Sequence, residues 1–177
     1  IGMLVQLFIS GMNSALTPWM YSKIKKGDIR SMRKVLQLLS VVVVGIAVAL
    51  MLISPELVLI FGSPKYREAV YVIPPVAASV FFIFIYNILS MPQFYYEKTQ
   101  FLMVASMAAA GANVVLNFIF IRLFGYIAAG YTTLACYMLY SVGHYIVSKR
   151  ILVNEGIQEN LMSPGFLVAC SAFLIGA

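Results

Sequence analysis

Charged residues divide the chain into six long uncharged runs: Ile1–Ser22, Val35–Pro55, Ala69–Tyr96, Thr99–Ile121, Leu123–Ser148 and Asn160–Ala177. An α-helix rises about 1.5 Å per residue, so a hydrocarbon layer about 30 Å thick takes roughly 20 residues to cross. The runs are of that length, and they lack the strict alternation of barrel strands. The pattern predicts an all-α integral membrane fold with spans near residues 1–21, 35–54, 70–92, 100–121, 124–147 and 164–177. The first and last spans look truncated, as expected if residues 1–177 are a fragment of a longer polytopic domain.

Within the spans, polar residues recur at helical spacing. In the fifth, Tyr126, Thr133, Tyr137, Tyr140, His144 and Ser148 share one sector, opposite Ala135, Met138, Val142 and Ile146. In the fourth, Thr99, Ser106, Asn113 and Asn117 align; in the first, Gln6, Ser10, Asn13 and Thr17; in the third, Ser79, Tyr86, Ser90 and Gln93. The second has an aliphatic middle from Val41 to Ile53 and is expected to face lipid more than the others. Amides and hydroxyls are costly to leave unpaired in hydrocarbon, so the stripes should turn toward one another. Two outcomes fit: pairing across a solid bundle, or a shared hydrophilic cavity.

Prolines mark the run ends at Pro18, Pro55, Pro64, Pro92 and Pro164. Pro74 and Pro75 suit the first turn of the third helix, where a missing N–H costs least, or would kink it if the helix began near Tyr66. Ser63–Glu68 reads as a polar connector. Gly125 and Gly130 flank the start of the fifth helix, and a tight turn explains both. The fourth helix carries Ala105, Ala108, Ala109, Ala110, Gly111 and Ala112, small residues that admit a close neighbour.

Composition agrees with a membrane assignment. The chain is 62% hydrophobic and 10% charged, against roughly 25% charged in a soluble domain. Mean hydropathy is +0.95. An ordinary soluble enzyme, a disordered tail and a nucleic-acid-binding module are excluded. The net charge of +6 instead reflects loop bias. Lys23, Lys25, Lys26, Arg30, Arg33, Lys34, Lys98, Lys149 and Arg150 fall on one set of alternate connections; only Lys65, Arg67 and Arg122 fall on the other. Nine basic residues against three predict that the first set is cytoplasmic. The Lys23–Lys34 segment suits anionic headgroups, and Lys23 and Lys25 are candidates for attracting a phosphate-bearing substrate. Trp19, Tyr95 and Tyr96 suit an interfacial belt.

Catalytic chemistry is missing. The sequence has no Gly-x-Ser-x-Gly, His-Glu-x-x-His or Walker loop, no metal-ligand spacing, and no charged residue in the middle of a span. Neither an enzyme nor a cofactor or metal is expected. Cys136 and Cys170 lie in apolar runs and read as small buried hydrophobes. His144, the single histidine, is either a hydrogen-bonded packing residue or a proton-coupling group.

The succession of local motifs carries a resemblance. It runs through Asn13-Ser14-Ala15-Leu16-Thr17-Pro18, Lys26-Gly27-Asp28, Phe61-Gly62-Ser63-Pro64-Lys65-Tyr66-Arg67-Glu68-Ala69 and Val72-Ile73-Pro74. It continues through Glu97-Lys98-Thr99, Asn113-Val114-Val115-Leu116-Asn117 and Phe124-Gly125-Tyr126-Ile127-Ala128-Ala129-Gly130-Tyr131-Thr132-Thr133-Leu134. Over residues 10 to about 150 the chain resembles the carboxy-terminal half of polysaccharide flippases. These are the O-antigen and capsule family of the multidrug/oligosaccharidyl-lipid/polysaccharide exporter superfamily. The resemblance implies a two-lobed, MATE-like bundle working by alternating access, with this chain forming most of one lobe. It further implies a monomer in the bacterial inner membrane whose partners are the bilayer, an amino-terminal lobe of the same chain and an undecaprenyl-diphosphate-linked oligosaccharide. The cavity candidates are then Asn13, Thr17, Asn113, Asn117, Thr133, Tyr137 and His144. One departure stands out: relatives that carry lipid diphosphates often place cations in the cavity, and these spans have none. A drug or metabolite exporter of the same superfamily is the alternative.

Overall fold

The computed structural model describes residues 2–61, 68 and 70–176; the side chains of residues 2–8 and 61, Gln6 among them, and the connector residues 62–67 lie outside the description. Six α-helices follow one another: α1 (Gly2–Lys25), α2 (Ile29–Phe61), α3 (Ile73–Tyr95), α4 (Gln100–Phe124), α5 (Ala128–Asn154) and α6 (Pro164–Gly176). No strand occurs among the described residues, so the all-α assignment holds. Three helices, α2, α3 and α4, are long and apolar enough to cross a membrane by length and composition. α1 and α5 have 24 and 27 residues and carry the polar stripes that lower their hydropathy, while α6 is a shorter apolar helix of 13.

The helix α3 is the hub. It packs against α1, α2, α5 and α6, and it buries most of its residues, including Phe81, Phe84, Ile85, Ile88 and Leu89. Pro74 and Pro75 occupy its first turn after Val72, so they start the helix and do not kink it. α2 runs further than its uncharged core, through Pro55. A proline there leaves the Met51 carbonyl without its helical N–H donor, and the hydroxyl of buried Ser54 donates to that oxygen at 2.8 Å.

Tight, locally explained corners join the helices. Gly27 takes φ 68° after α1, and the Asp28 carboxylate then accepts the Ser31 N–H at 3.2 Å as the N-cap of α2. Lys23 reaches that same carboxylate at 2.5 Å. This is why Lys26-Gly27-Asp28 occurs as a unit: the glycine ends one helix and the aspartate begins the next.

Contacts between connections fix the alternation of ends. Lys98, after α3, pairs with Glu155, after α5, at 2.7 Å. Arg33, near the start of α2, donates to the Asn160 carbonyl at 2.7 Å and lies 3.7 Å from Glu159. The three base-rich connections therefore share one end of the bundle. At the other end, Tyr126 donates to Glu68 at 3.0 Å.

Two sequence expectations need correction. α2 buries one face, through Val43, Val44 and Ala47, whereas α4 buries no residue at all and is the most exposed helix. Its stripe packs on α5, and nothing else described here covers the remainder. A stripe reports which side of a helix has a partner, but not how much of the helix that partner covers. Gly130 is likewise no turn residue. A Cβ there would meet the Pro75 ring at 2.9 Å and the Val72 carbonyl at 3.3 Å, so its role is the close approach of α5 to α3. Gly125, with φ 77°, does end α4 as a turn glycine.

Candidate functional site: a neutral cavity beside α3

α1 and α5 both flank α3, and between them, with α2 alongside, lies a cavity of about 830 Å³. Asn13 and Thr17 enter it from α1, Tyr86 and Asn87 from α3, and Thr133 and Tyr137 from α5. Ile9, Leu50, Leu57, Val76, Val80 and Ile83 supply aliphatic walls, and no Asp, Glu, Lys or Arg lines it among the described residues. A second cavity of about 480 Å³ lies between α3, α4 and α5. Tyr86, Thr133 and Tyr137 line both. The rings of Tyr86 and Tyr137 lie parallel within 1°, with centroids 6.1 Å apart, and form the partition between the two spaces.

The helical registers explain the convergence. Tyr86 and Asn87 sit on the half-exposed side of α3, where Ile83 also emerges. Asn87 donates to the Ile83 carbonyl of its own helix at 2.7 Å. Thr17 donates to the Asn13 carbonyl at 2.7 Å and reaches the Met91 sulfur at 3.5 Å. That contact closes α1 onto α3 toward the base-rich end, where Tyr21 and Tyr95 meet edge-to-face with centroids 5.3 Å apart. The Asn13 side-chain oxygen is buried and has no hydrogen-bond partner among the described residues.

The remaining candidates are distributed differently. Asn113 lines the smaller cavity and donates to Thr133 at 3.4 Å; Asn117 lines neither, donates to Asn113 at 2.9 Å and accepts from Thr132 at 2.5 Å. Ser106 donates to the Leu102 carbonyl and so accepts from the Tyr140 hydroxyl at 2.7 Å. The α4 stripe is thus largely spent on holding α4 to α5, while the α1 and α5 stripes also reach the larger cavity.

His144 also lies outside both cavities. It is fully buried, its Nδ1 is 2.7 Å from the Gln93 amide, and the rings of Tyr140, Phe101 and Tyr86 surround it at 4.4, 5.4 and 6.0 Å. Its place is behind the tyrosines that line the cavities. At the base-rich end, Lys23 is committed to Asp28, whose carboxyl it holds down at a pKa of about 2. Lys25 is exposed at the end of α1.

Sequence reasoning missed Asn87, Thr132 and Ser141. Ser141 lies within 3.0 Å of the Phe82 carbonyl, stitching α5 to the backbone of α3. The signal for Asn87 was available, since it adjoins Tyr86 on the sequence, but a one-face stripe does not include both neighbours. No cluster of His, Cys, Asp and Glu fit to hold a metal occurs among the described residues.

A helical bundle whose polar seams meet around cavities, with apolar outer faces, is built as a membrane protein. The sequence profile of the MatE family matches residues 1–119, about two thirds of the 177, and the chain belongs to that family of membrane exporters. The matched region spans α1 to α3 and most of α4. Comparison with curated proteins and with solved structures returns no match.

Proposed function

We propose that this chain forms part of a flippase that carries a lipid-linked oligosaccharide across a bacterial inner membrane by alternating access. The observation that supports it best is the neutral, hydrogen-bonding lining of the larger cavity. Asn13, Thr17, Tyr86, Asn87, Thr133 and Tyr137 offer amides, hydroxyls and ring faces with no fixed charge. A hydrated, uncharged sugar chain needs that combination: many exchangeable hydrogen bonds and flat apolar surfaces for its C–H faces. Its lipid tail stays in the bilayer. The diphosphate would be met outside this cavity, with Lys25 the exposed cation at the end of α1.

A second reading has its own support. A volume of about 830 Å³ with largely aliphatic walls falls within the range of roughly 300–1,000 Å³ common for small-molecule sites, which favours a drug or metabolite exporter.

The discriminating variant is Asn13→Leu with Asn87→Leu, placed in the intact transporter. Asn113 and Asn117 are poorer targets because they hold α4 to α5. The flippase reading expects surface polysaccharide to disappear at unchanged protein level, with efflux of a lipophilic cation absent in both proteins. Normal polysaccharide in the variant, or efflux by the unaltered transporter, overturns it in favour of the exporter.

A further inference from the structure

The base-rich end does not present its cations equally. Lys23, Arg33 and Lys98 are half-buried or bound to the protein's own oxygens: Lys23 to Asp28, Arg33 to Glu159 and the Asn160 carbonyl, and Lys98 to Glu155. Arg30 and Lys34, like Lys25, Lys26, Lys149 and Arg150, are exposed and have no carboxylate within ion-pair distance among the described residues; what sets this pair apart is its place above an apolar helix face. Arg30 and Lys34 stand one turn apart on the first turns of α2, so both side chains leave the same face.

That face continues in an informative way. Ile29, Met32 and Leu36 turn inward and are buried, while Leu38 and Val41, below Arg30 and Lys34, are 65% and 53% exposed. Gly45 follows on the same side, with open space where a Cβ would be, and then Leu52, again exposed. The sequence of surfaces down α2 is therefore two unpaired cations, then an uninterrupted aliphatic strip with a shallow dip at Gly45. With 33 residues α2 is roughly 50 Å long, against a hydrocarbon core of about 30 Å. Its first turns thus reach headgroup level while the strip lies at acyl-chain depth.

We propose that this face of α2 is a binding site for one anionic membrane phospholipid. Its phosphate lies between Arg30 and Lys34, and an acyl chain runs along Leu38, Val41 and Gly45. The bilayer phospholipid, and not the transported cargo, is the occupant, because the face points away from α3 and from both cavities. The site stands whether the cargo is a sugar lipid or a drug.

The test measures phospholipid binding to the intact transporter in neutral detergent by native mass spectrometry. The probes are phosphatidylglycerol, phosphatidylcholine, glycerol 3-phosphate and a polyprenyl diphosphate. Phosphatidylglycerol should bind, and neither the neutral lipid nor the tail-less headgroup should match it. Arg30→Gln with Lys34→Gln should weaken that binding by roughly 30-fold. Lys149→Gln with Arg150→Gln removes the same charge from the same end and should leave it unchanged. Equal weakening by the two pairs overturns the site, as does phosphatidylcholine binding as tightly, or binding of the polyprenyl diphosphate alone. An unaltered thermal midpoint of the Arg30/Lys34 variant in phosphatidylcholine shows that it remains folded.

Discussion

The Gln93 amide of α3 and the His144 Nδ1 of α5 lie 2.7 Å apart, and both side chains are fully shielded from solvent. The contact pairs the Gln93 amide nitrogen with the His144 Nδ1 and leaves the Gln93 Oε1 and the His144 Nε2 without a partner among the described residues, so each side chain depends on the other for its one inter-helix hydrogen bond. Removing one partner strands a polar group, at about 1–3 kcal/mol, whereas replacing both with apolar groups is nearly neutral. Gln93→Leu and His144→Phe should each lower the thermal midpoint of the detergent-solubilised protein. The double variant should lose less than the sum of the two.

The Lys23–Asp28 pair gives the α1–α2 corner an acid limit. Asp28 has its pKa lowered from 3.8 to about 2, chiefly by the hydrogen bond from Lys23 and then by that from Ser31. A depressed folded-state value means the contribution is fully present above the unfolded pKa and is lost as pH falls through the folded one. The corner should be insensitive to pH from neutrality to about 5 and should loosen between about 4 and 2. Hydrogen exchange of the amides at Lys26–Ser31 reports it. In Asp28→Asn that step should vanish, and exchange at neutral pH should already be faster.

Two glycines should respond oppositely to the same substitution. Gly130→Ala places a methyl 2.9 Å from the Pro75 ring and against the Val72 backbone, so α5 must move away from α3. A cost of about 1–3 kcal/mol is expected, read as a lower thermal midpoint. Gly111→Ala meets nothing within 4 Å and lies inside α4. It should stabilise by roughly 0.5–1 kcal/mol through helix propensity.

How much of this was legible beforehand depends on the residue. Most of the α5 stripe was: Thr133, Tyr137, Tyr140 and His144 face the bundle, and Ala135, Val142 and Ile146 face outward, because a 3.6-residue period converts directly into a side; Met138, expected on the outer face, instead packs against the core, and Tyr126 is exposed ahead of the helix. The alternation of connections was legible too, and Lys98–Glu155 and Arg33–Glu159 bear it out. Partner choice was not. Nothing in the spacing of Asn113 and Asn117 says that Thr132 and Thr133 will claim them, leaving Asn13 to the cavity. That depends on which helices become neighbours, a property of the packed chain. Gly130 was misread for the same reason, since a glycine near a turn and a glycine at a helix crossing look alike until both helices are in place.

The central position of α3 bears on synthesis. α1 and α2 touch each other only lightly, and both rest on α3. Until α3 has been made, α1 and α2 therefore lack the surface on which both rest, and Asn13 and Thr17 lack their eventual company. Emergence of α3 gives them a surface to settle on, and α5, made after α4, covers its far side. The α1–α2 corner is fastened by Lys23 and Asp28 as soon as it is made, whereas the clasp of Arg33 on Asn160 can close only when nearly the whole segment has been made.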